Sequence, residues 1–326
     1  MQILVTGGAG FIGRAFVQYL LERGEGVTVL DRMTYAGDSA NVKDFRKDQN
    51  FEFVLGAIQD PELVKGLVFN GGFEAIVNIA AESHVDRSIE NCHTFFDTNV
   101  LGTLNLLDAV RKLSPKTRFL QVSTDEVYGE SDGSPFVEDL PLRPRNPYSA
   151  SKAAADMLVQ AFRNTYALDL VITRCSNNYG PYQQTEKFIP KSIVHLLTDR
   201  KITLHGDGMQ IRDWIHVLDH AHGIFRALTE GKAGEIYNLG GEHAITNKEV
   251  AIQLIDQMGL AKRIEFVEDR PGNDRAYRMS IEKARKELNW EPVVLFREGL
   301  KDTVNWYTKH REWWDRSGLS AFYAMR

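Results

Sequence analysis

The sequence predicts an α/β protein built on a doubly wound parallel sheet with helices on both faces. Short runs rich in β-branched and apolar residues alternate with longer segments of helical periodicity, which is typical of βαβ units. Several of the runs are apolar at almost every position, as parallel strands covered on both faces must be. A glycine-rich turn joins the first run to the first helical segment. Such sheets bind ligands beyond the carboxyl ends of their strands, so functional residues should lie there.

Six runs are predicted to be the strands of this sheet, at residues 2–6, 26–31, 51–55, 75–80, 118–123 and 168–174. Each is short and is bounded by turn-forming or polar residues. Segments with helical spacing of apolar residues lie between them, for example at 11–24 and 98–113. This order of elements is what a doubly wound sheet requires.

Beyond residue 175 the alternation becomes less regular. The predicted elements are a long loop at 176–190, a helix near 187–199, short strands, a helix capped by Thr246 and Glu249, and two late helices near 281–288 and 296–311. We therefore expect a first domain at 1–175 around the sheet. A smaller α/β lobe at 176–326 would bind the substrate, with some of its segments returning to the first domain.

The composition is that of an ordinary globular protein. The chain has 326 residues, 43% hydrophobic and 25% charged, with a formal net charge of −5. That balance gives no reason to expect a nucleic acid or an anionic membrane as partner. No segment predicts a bilayer span, and no leader peptide is recognised before the first strand. Cys92 and Cys175 lie far apart without a CxxC pattern, which predicts no disulfide framework and no metal site and fits a reducing, cytoplasmic location.

The stretch GGAGFIG, residues 7–13, follows the first predicted strand and opens the first helix. Its glycines at 7, 10 and 13 allow a tight turn, a close approach of the backbone to a pyrophosphate, and close packing of helix on strand. The start of the helix supplies amide donors and a positive partial charge. The stretch therefore predicts a dinucleotide site.

An acid in the expected place supports NAD as the dinucleotide. Asp31 ends the second predicted strand about 20 residues beyond the glycines, where a carboxylate binds the ribose 2′-hydroxyl of NAD. Arg32 follows it and keeps NADP open as an alternative. The acid should nevertheless repel a 2′-phosphate.

The stretch NPYSASKAA, residues 146–154, is predicted to begin a helix, with Asn146 as N-cap and Pro147 in the first turn. Tyr148 and Lys152 are then i and i+4 on one helical face. A free tyrosine has a pKa of about 10 and is a poor base near neutral pH. A nearby ammonium and a cationic nicotinamide ring favour the phenolate, so Tyr148 is a candidate base for an alcohol that loses hydride. Alternatively, the two side chains form an ordinary exposed pair.

Asp125 and Glu126 follow the strand predicted at 118–123, within VSTDEVYG, residues 122–129. In an ideal strand their side chains would point to opposite faces, so the chain must leave strand geometry at Ser123–Thr124 for both to enter one site. Two carboxylates in one partly desolvated pocket cannot both ionise easily, and one pKa should rise. The pair would then provide one proton donor and one acceptor. The alternative is a solvated pair on a loop.

Taken together, the motifs resemble those of the extended short-chain dehydrogenase/reductase superfamily, whose fold is a Rossmann sheet. More narrowly, the chain resembles the dTDP-glucose 4,6-dehydratases, almost from end to end. The stretches that carry the resemblance are GGAGFIG, LDRMTYAG, AAESHVDRS, STDEVYG, YSASK, RCSNNYGPYQ, TEKFIP, GDGMQIRDW and DRPG. The adjacent acids of STDEVYG are the most specific part, because related 4-epimerases carry small residues there.

The resemblance implies a lyase that uses bound NAD. Tyr148 would remove the C4 hydroxyl proton of the hexose as hydride passes from C4 to NAD⁺. Glu126 would then take the C5 proton, Asp125 would protonate the departing C6 hydroxyl, and the hydride would return to C6. Thr124 would bond to the C4 oxygen, and Lys152 would orient the ribose and tune Tyr148. The product would be a 4-keto-6-deoxy sugar nucleotide.

The resemblance also implies which positions hold each ligand. Those for NAD are Gly7, Gly10, Phe11, Ile12, Gly13, Asp31, Arg32, Met33, Thr34, Ala57, Ile58, Ala80, Ala81, Thr98, Tyr148, Lys152 and Asn178. Those for the nucleotide sugar are Ser83, Thr124, Asp125, Glu126, Asn177, Lys187, Thr203, His205, Arg212, Asn247, Arg270, Asn273 and Tyr277. Arginine suits the diphosphate because its planar fork binds oxyanions bidentately. Asn177 and Asn178 are alternatively turn-forming residues, and Asn247 the first residue of a capped helix.

Three positions depart from the family pattern. Ala57 stands where related chains commonly have an aspartate that meets the adenine amine, so NAD would lose one hydrogen bond, worth about 1 kcal/mol. Asn273 replaces a usual histidine and Ala276 a usual arginine, both at the nucleotide end of the substrate pocket. These changes leave the chemistry intact and keep open whether the base is thymine or another.

Two other functions remain as alternatives. A nucleotide-sugar 4-epimerase would use the same scaffold without needing Asp125 and Glu126. A non-catalytic NAD-binding regulator would not need Tyr148, Lys152 and the acids together. By resemblance alone, we also expect a homodimer formed through a helix pair near 98–113 and 148–166.

Overall fold

The structure is a computed structural model that describes residues 1–269 and 274–315. Two of the expected substrate contacts, Arg270 and Asn273, lie outside the described residues. The strands are β1 (Gln2–Thr6), β2 (Gly26–Asp31), β3 (Phe51–Leu55), β4 (Ala75–Asn78), β5 (Arg118–Thr124), β6 (Leu170–Cys175), β7 (Asn177–Tyr179), β8 (Ile202–His205), β9 (Ile211–His216), β10 (Ile236–Leu239), β11 (Ala244–Thr246) and β12 (Ile264–Val267).

Helices cover the sheets and connect the strands. They are α1 (Phe11–Leu21), α2 (Ser39–Val42), α3 (Pro61–Asn70), α4 (Val85–Glu90), α5 (His93–Phe96), α6 (Thr103–Leu113), α7 (Pro147–Tyr166), α8 (Phe188–Leu197), α9 (Val217–Glu230), α10 (Asn247–Gln257), α11 (Glu282–Leu288), α12 (Phe296–Lys309) and α13 (Arg311–Asp315). A π-helical turn, Asp97–Gly102, joins α5 to α6.

A parallel sheet of seven strands forms the first layer, in the order β10-β6-β5-β4-β1-β2-β3. Every neighbouring pair in it is parallel. The chain moves outwards in one direction from β1 to β3 and in the other from β4, which leaves a crevice at the carboxyl ends of β1 and β4. The predicted fold class, a doubly wound α/β sheet of the Rossmann type, is confirmed.

The sheet is buried on both faces, and this explains why its strands are apolar at nearly every position. In β1, Ile3 and Val5 pack into one core cluster with side chains of α1 and α9. Leu4, between them, packs on the opposite face with side chains of α3, α6 and α7. This alternation is the two-residue period of a strand. Because both faces are covered, the functional groups are confined to the ends of the strands.

The second lobe is built from smaller sheets and its own core. β9 pairs with β7 in parallel and with β11 in antiparallel register, and β8 pairs with β12 in parallel. The helix α10 begins with the predicted capping box, in which Thr246 N–H donates to Glu249 Oε2 at 2.8 Å. Two segments from this part of the chain return to the first layer: β10 pairs with β6, and α9 packs on α1.

Several predicted boundaries and one predicted loop differ from the structure. The strand predicted at 118–123 ends one residue later, at Thr124, and the helix predicted at 98–113 contains the π-helical turn. The prediction of a continuous loop at 176–190 was wrong, because β7 lies within it. A strand of three residues is too short to show a period, and its pairing with β9 depends on distant sequence.

In the described part of the chain, no helix has both the length and the apolar character required to cross a membrane.

Candidate active site

One cavity of about 260 Å³ runs along the carboxyl ends of the main sheet. The glycine turn after β1 lies on its wall, and so do residues that follow β2, β3, β4, β5 and β6. The cavity therefore lies where the strand order reverses, the position at which doubly wound sheets bind nucleotides.

The glycine turn is shaped by close contacts of its backbone. Gly7 has a φ of +72°, and its N–H donates to Leu30 O at 2.9 Å, which ties the turn to the end of β2. A Cβ at Gly13 would lie 2.1 Å from Gly7 O, so only glycine allows α1 to start this close to the turn. The amides at the start of α1 are thereby held against the cavity, as a pyrophosphate requires.

Asp31 lies at the end of β2 and is held by two backbone amides. Its Oδ2 accepts a hydrogen bond from Ala9 N–H at 3.0 Å, and its Oδ1 accepts one from Met33 N–H at 2.8 Å. Burial raises the pKa of this carboxyl, and the two amides act in the opposite direction. The glycine turn and this oriented acid together fit the pyrophosphate and ribose of a dinucleotide.

Asp125 and Glu126 both line the cavity because the chain changes conformation directly before them. Thr124 is extended, with φ −137° and ψ 155°, and a 3₁₀ turn follows at Asp125–Tyr128. Thr124 Oγ1 donates to Asp125 Oδ1 at 3.1 Å and accepts from Glu126 N–H at 3.3 Å. The threonine hydroxyl therefore fixes the turn that brings the two acids to one site, one residue later than expected.

Asp125 is almost fully buried, with 2% of its surface exposed. Burial raises its pKa well above the ordinary value, and the charges of Glu126 and Asp213 add to this effect. Its Oδ2 has no hydrogen-bond partner among the described protein groups. The raised pKa favours the protonated form of this carboxyl, which can act as a proton donor.

Tyr148 and Lys152 enter the same cavity from the first turns of α7. A capping box between Asn146 and Ser149 fixes where this helix begins. Lys152 Nζ donates to Val122 O at 2.7 Å, and burial lowers the pKa of its ammonium. Burial, and then the charge of Glu126, raise the pKa of Tyr148 well above its usual value. The protein's own groups therefore keep the phenol protonated.

Most positions expected to hold the cofactor line this cavity. They are Gly7, Gly10, Phe11, Ile12, Gly13, Asp31, Arg32, Thr34, Ala57, Ile58, Ala80, Ala81, Thr98, Tyr148, Lys152 and Asn178. Met33 contributes through the amide that holds Asp31. Asn178 is oriented by two bonds, since its Oδ1 lies 2.9 Å from His220 Nδ1 and its Nδ2 donates to Ser176 O at 3.0 Å. Thr98 lies in the π-helical turn, an irregularity that is frequent at functional sites.

The expected substrate contacts are only partly brought together. Ser83, Asn177 and Lys187 line the cavity with the acids and Thr124. Arg212 and Tyr277 lie beside it: the guanidinium stacks 4.4 Å from the centre of the tyrosine ring, and the charge of Glu126 contributes to the raised pKa of Tyr277.

Three other expected contacts lie away from the lining. Thr203 Oγ1 donates to Glu265 Oε1 at 3.1 Å on an exposed strand pair. His205 is exposed, with Nδ1 at 3.2 Å from Glu268 O, and Asn247 is the first residue of α10. Their assignment to the substrate remains a prediction.

Several residues that line the cavity were not expected from the sequence. They include Gln59, Glu82, Cys175, Gln183 and Gln184. Burial raises the pKa of Cys175 to about 12, so its thiol is an inert part of the wall. The available signal was their place at the carboxyl end of a strand: Gln59 and Glu82 lie in the loops after β3 and β4, and Cys175 ends β6.

Two side chains of the segment before α8 bond to loops of the first layer. Gln184 Nε2 donates to Ala36 O, in the loop after β2. Lys187 Nζ donates to Ser83 O at 2.7 Å, in the loop after β4. All four residues line the cavity, so this segment forms a wall that is fastened at both sides.

Side chains that can exchange protons line the cavity. Across residues 1–269 and 274–315, no cluster of three or more His, Cys, Asp or Glu is arranged to hold a metal ion. The cavity instead combines a phenol, an ammonium, a hydroxyl and two carboxyls, which can donate and accept protons on a bound polyol.

The chain is similar in sequence to a family model and to known enzymes over nearly its whole length. Residues 4–303 match the family model described as GDP-mannose 4,6 dehydratase. A dTDP-glucose 4,6-dehydratase of Streptomyces niveus is 44% identical over 97% of this chain and 95% of the relative.

Solved structures give the same picture. A dTDP-glucose 4,6-dehydratase from Bacillus anthracis in complex with NAD has a TM-score of 0.91 and 46% identity, covering 97% of this chain and 99% of the other. The Streptomyces venezuelae enzyme DesIV, a dTDP-glucose 4,6-dehydratase with NAD and TYD bound, has a TM-score of 0.94 and 45% identity over 97% and 100% of the two chains.

Proposed function

Since the chain belongs to the dTDP-glucose 4,6-dehydratase family, we propose that it is an NAD-dependent hydro-lyase that acts on dTDP-glucose. The product is the 4-keto-6-deoxy sugar nucleotide. The observation that carries this proposal is that Tyr148, Asp125 and Glu126 line one cavity together with a glycine turn suited to a dinucleotide. A redox site alone would need the phenol and the glycine turn, whereas loss of water also needs the acids.

The glycine turn would hold the pyrophosphate of the dinucleotide, Asp31 would hold its ribose, and Tyr148 and Lys152 would lie at its nicotinamide end. Bound NAD supplies the hydride acceptor for C4 and the hydride that later returns to C6. Tyr148 accepts the C4 hydroxyl proton, which requires its pKa to fall from the raised value that burial imposes. The cationic nicotinamide is the charge that favours this change. Thr124 would turn its hydroxyl proton from Asp125 Oδ1 to the C4 oxygen of the bound sugar.

Elimination of water uses the two acids in opposite protonation states. Oxidation at C4 acidifies the C5–H bond, and Glu126 takes that proton, which it returns to C5 when hydride adds to C6. Asp125 gives its proton to the C6 hydroxyl, which leaves as water. The raised pKa of Asp125 supports this division, since it favours the protonated carboxyl that a proton donor needs.

The proposal also covers the oligomeric state, the location and the domain boundaries of the chain. The chain forms a homodimer through the helix pair near 98–113 and 148–166. The exposed apolar side chains of Leu101 and Met157, which are 51% and 62% accessible, support such an interface. It acts in the cytoplasm, where its nucleotide sugar would be made. Residues 1–175 form the NAD-binding domain and 176–326 the substrate lobe.

Incubation with dTDP-glucose and NAD, followed by alkali, tests the reaction through the absorbance of the 4-keto sugar. A 4-epimerase would instead form dTDP-galactose, and a regulator would form neither product. Tyr148→Phe is the matched control, because it keeps the ring and removes the proton acceptor. UDP-glucose and GDP-mannose, tested in parallel, decide which base the pocket prefers. NAD binding without any 4-keto product from these sugars would refute the proposed function.

A further inference from the structure

An ion pair in the cavity joins the loop after β2 to the loop after β4. Arg32 Nη2 donates to Glu82 Oε1 at 2.6 Å. The arginine side chain is 33% exposed and the glutamate side chain only 9%, and both residues line the cavity. Arg32 directly follows Asp31, so the cation is held beside the ribose end of the dinucleotide site.

An arginine at this position could have the opposite effect on cofactor choice. In sheets of this kind, an acid at the end of β2 holds the 2′-hydroxyl of NAD, and an arginine nearby accommodates the 2′-phosphate of NADP. A guanidinium binds phosphate well because its fork offers parallel donors. Arg32 would therefore attract NADP if its guanidinium were available, in conflict with Asp31.

We propose that Glu82 is a second determinant of NAD over NADP, because it holds Arg32 away from the 2′-phosphate that Asp31 repels. This inference rests on the proposed NAD site and names a selectivity residue outside β2 and its loop. Glu82 is a positioning residue here, since it acts through Arg32 and touches no reacting atom.

The position of Glu82 is itself well fixed. Asn99 Oδ1 accepts from Glu82 N–H at 2.9 Å, and Asn99 Nδ2 donates to Glu82 O at 3.0 Å. A rotation of Arg32 towards a phosphate would leave the buried carboxylate of Glu82 without its cation, which is unfavourable. The pair is therefore maintained when a dinucleotide binds.

The space beside Asp31 is narrow as well. A Cβ at Gly37 would lie only 2.9 Å from Asp31 Oδ1, so the loop after β2 closes around the acid. Both oxygens of Asp31 accept backbone amides, which fixes the carboxylate in place. Repulsion by Asp31 and the pairing of Arg32 with Glu82 are thus two separate barriers to NADP binding. Removing one of them should leave the other in place.

Calorimetric binding of NAD and NADP to the full-length chain, freed of nucleotide, tests the proposal. Asp31→Asn should raise the affinity for NADP about tenfold or less, because Arg32 stays paired. Asp31→Asn with Glu82→Gln should raise it by a further factor of about 10 to 100, the worth of one charge-assisted hydrogen bond. Adding Arg32→Ala to the double variant should abolish this second gain.

The matched control is Asp31→Asn with Glu186→Gln. Glu186 is a second partly buried acid close to this loop. Its Oε2 lies 3.4 Å from Arg87 Nη2, and its charge contributes to the raised pKa of Tyr35. An equal gain in NADP affinity from this control would overturn the proposal, because charge alone would explain it. No second gain from Glu82→Gln would overturn it too.

A test without any change at Glu82 is available if those variants fold poorly. Arg32→Lys in the Asp31→Asn background keeps a cation to pair with Glu82 and removes only the guanidinium fork, so it should leave the NADP affinity unchanged if the paired arginine does not reach the phosphate. A clear loss there would refute the inference. A wild-type chain that binds NAD but forms no 4-keto sugar would refute the proposed reaction and leave this inference standing.

Discussion

Gly10 and Gly13 lie on the same phosphate-binding turn, yet a methyl group added to each should change a different property of the protein. A Cβ on Gly13 would lie 2.1 Å from Gly7 O and 2.7 Å from Gly8 Cα. A Cβ on Gly10 would have Gly7 O at 3.3 Å as its nearest neighbour and Ala36 O at 3.9 Å. Backbone atoms leave no room for a side chain at Gly13, whereas Gly10 faces the cavity that it lines.

The distances set the expected magnitudes. Gly13→Ala should lower the free energy of unfolding by about 2 kcal/mol, since overpacking costs about 3 kcal/mol and alanine returns about 1 kcal/mol of helix propensity. Gly10→Ala should lower it by less than about 1 kcal/mol, the cost of alanine at a helix N-cap. Its methyl group instead occupies space that the pyrophosphate needs, so the affinity for NAD should fall about 10- to 100-fold.

Urea unfolding without added nucleotide measures the first quantity, and calorimetric titration with NAD measures the second. Gly66→Ala, at a helical position of α3 with no atom within 4 Å of the added Cβ, is the matched control and should be neutral or stabilising. The reasoning would be refuted if Gly10→Ala bound NAD as tightly as the wild type. It would also be refuted if both variants lost the same stability.

Four further outcomes follow from the acids and one buried ion pair. Glu126→Gln should still oxidise C4 but slow the entry of solvent deuterium at C5 by at least about 100-fold; exchange at the wild-type rate in mass spectra would contradict the base assignment. Asp125→Asn should slow water loss more than hydride transfer, so NADH should accumulate in stopped-flow absorbance, and equal slowing of both steps would exclude the acid role. Burial raises the pKa of Asp125 in the folded state, so the folded protein keeps a proton that the unfolded chain loses. The free energy of unfolding of the wild type should therefore fall as pH rises from the ordinary carboxyl pKa through the folded-state pKa. Urea unfolding of Asp125→Asn should lack that fall. Arg174→Met should lower the free energy of unfolding in urea by about 3–5 kcal/mol, because buried Asp156, whose Oδ2 lies 2.9 Å from Arg174 Nε, loses its cation. Adding Asp156→Leu should recover most of this loss. No recovery would show that the ion pair was not the cause.

The sequence predicted the main sheet well for a physical reason. Strands buried on both faces, such as β2 and β6, are continuous apolar runs between turn signals, and that pattern is local. The short strands of the second lobe carry no such pattern. Asn177 in β7 pairs with Trp214 in β9, so the strand exists only because a distant segment lies beside it.

The same distinction applies to the site. Tyr148 and Lys152 lie within one short motif and the two acids within another, so the sequence alone predicted them. The pair of Arg32 and Glu82 joins residues 50 positions apart, and neither residue is unusual in its own stretch. From the sequence alone, Asp31 was the residue that favoured NAD over NADP. The folded structure adds Glu82, which pairs with the neighbouring cation Arg32.

The wall carried by Gln184 and Lys187 bears on how long a nucleotide stays in the protein. A bound dinucleotide would lie beneath a segment attached on either side, at Ala36 and at Ser83. We expect its departure to need both attachments to open, and therefore to be slow compared with a catalytic cycle. One molecule of NAD would then serve many sugars in succession, as a prosthetic group does rather than a diffusing cosubstrate.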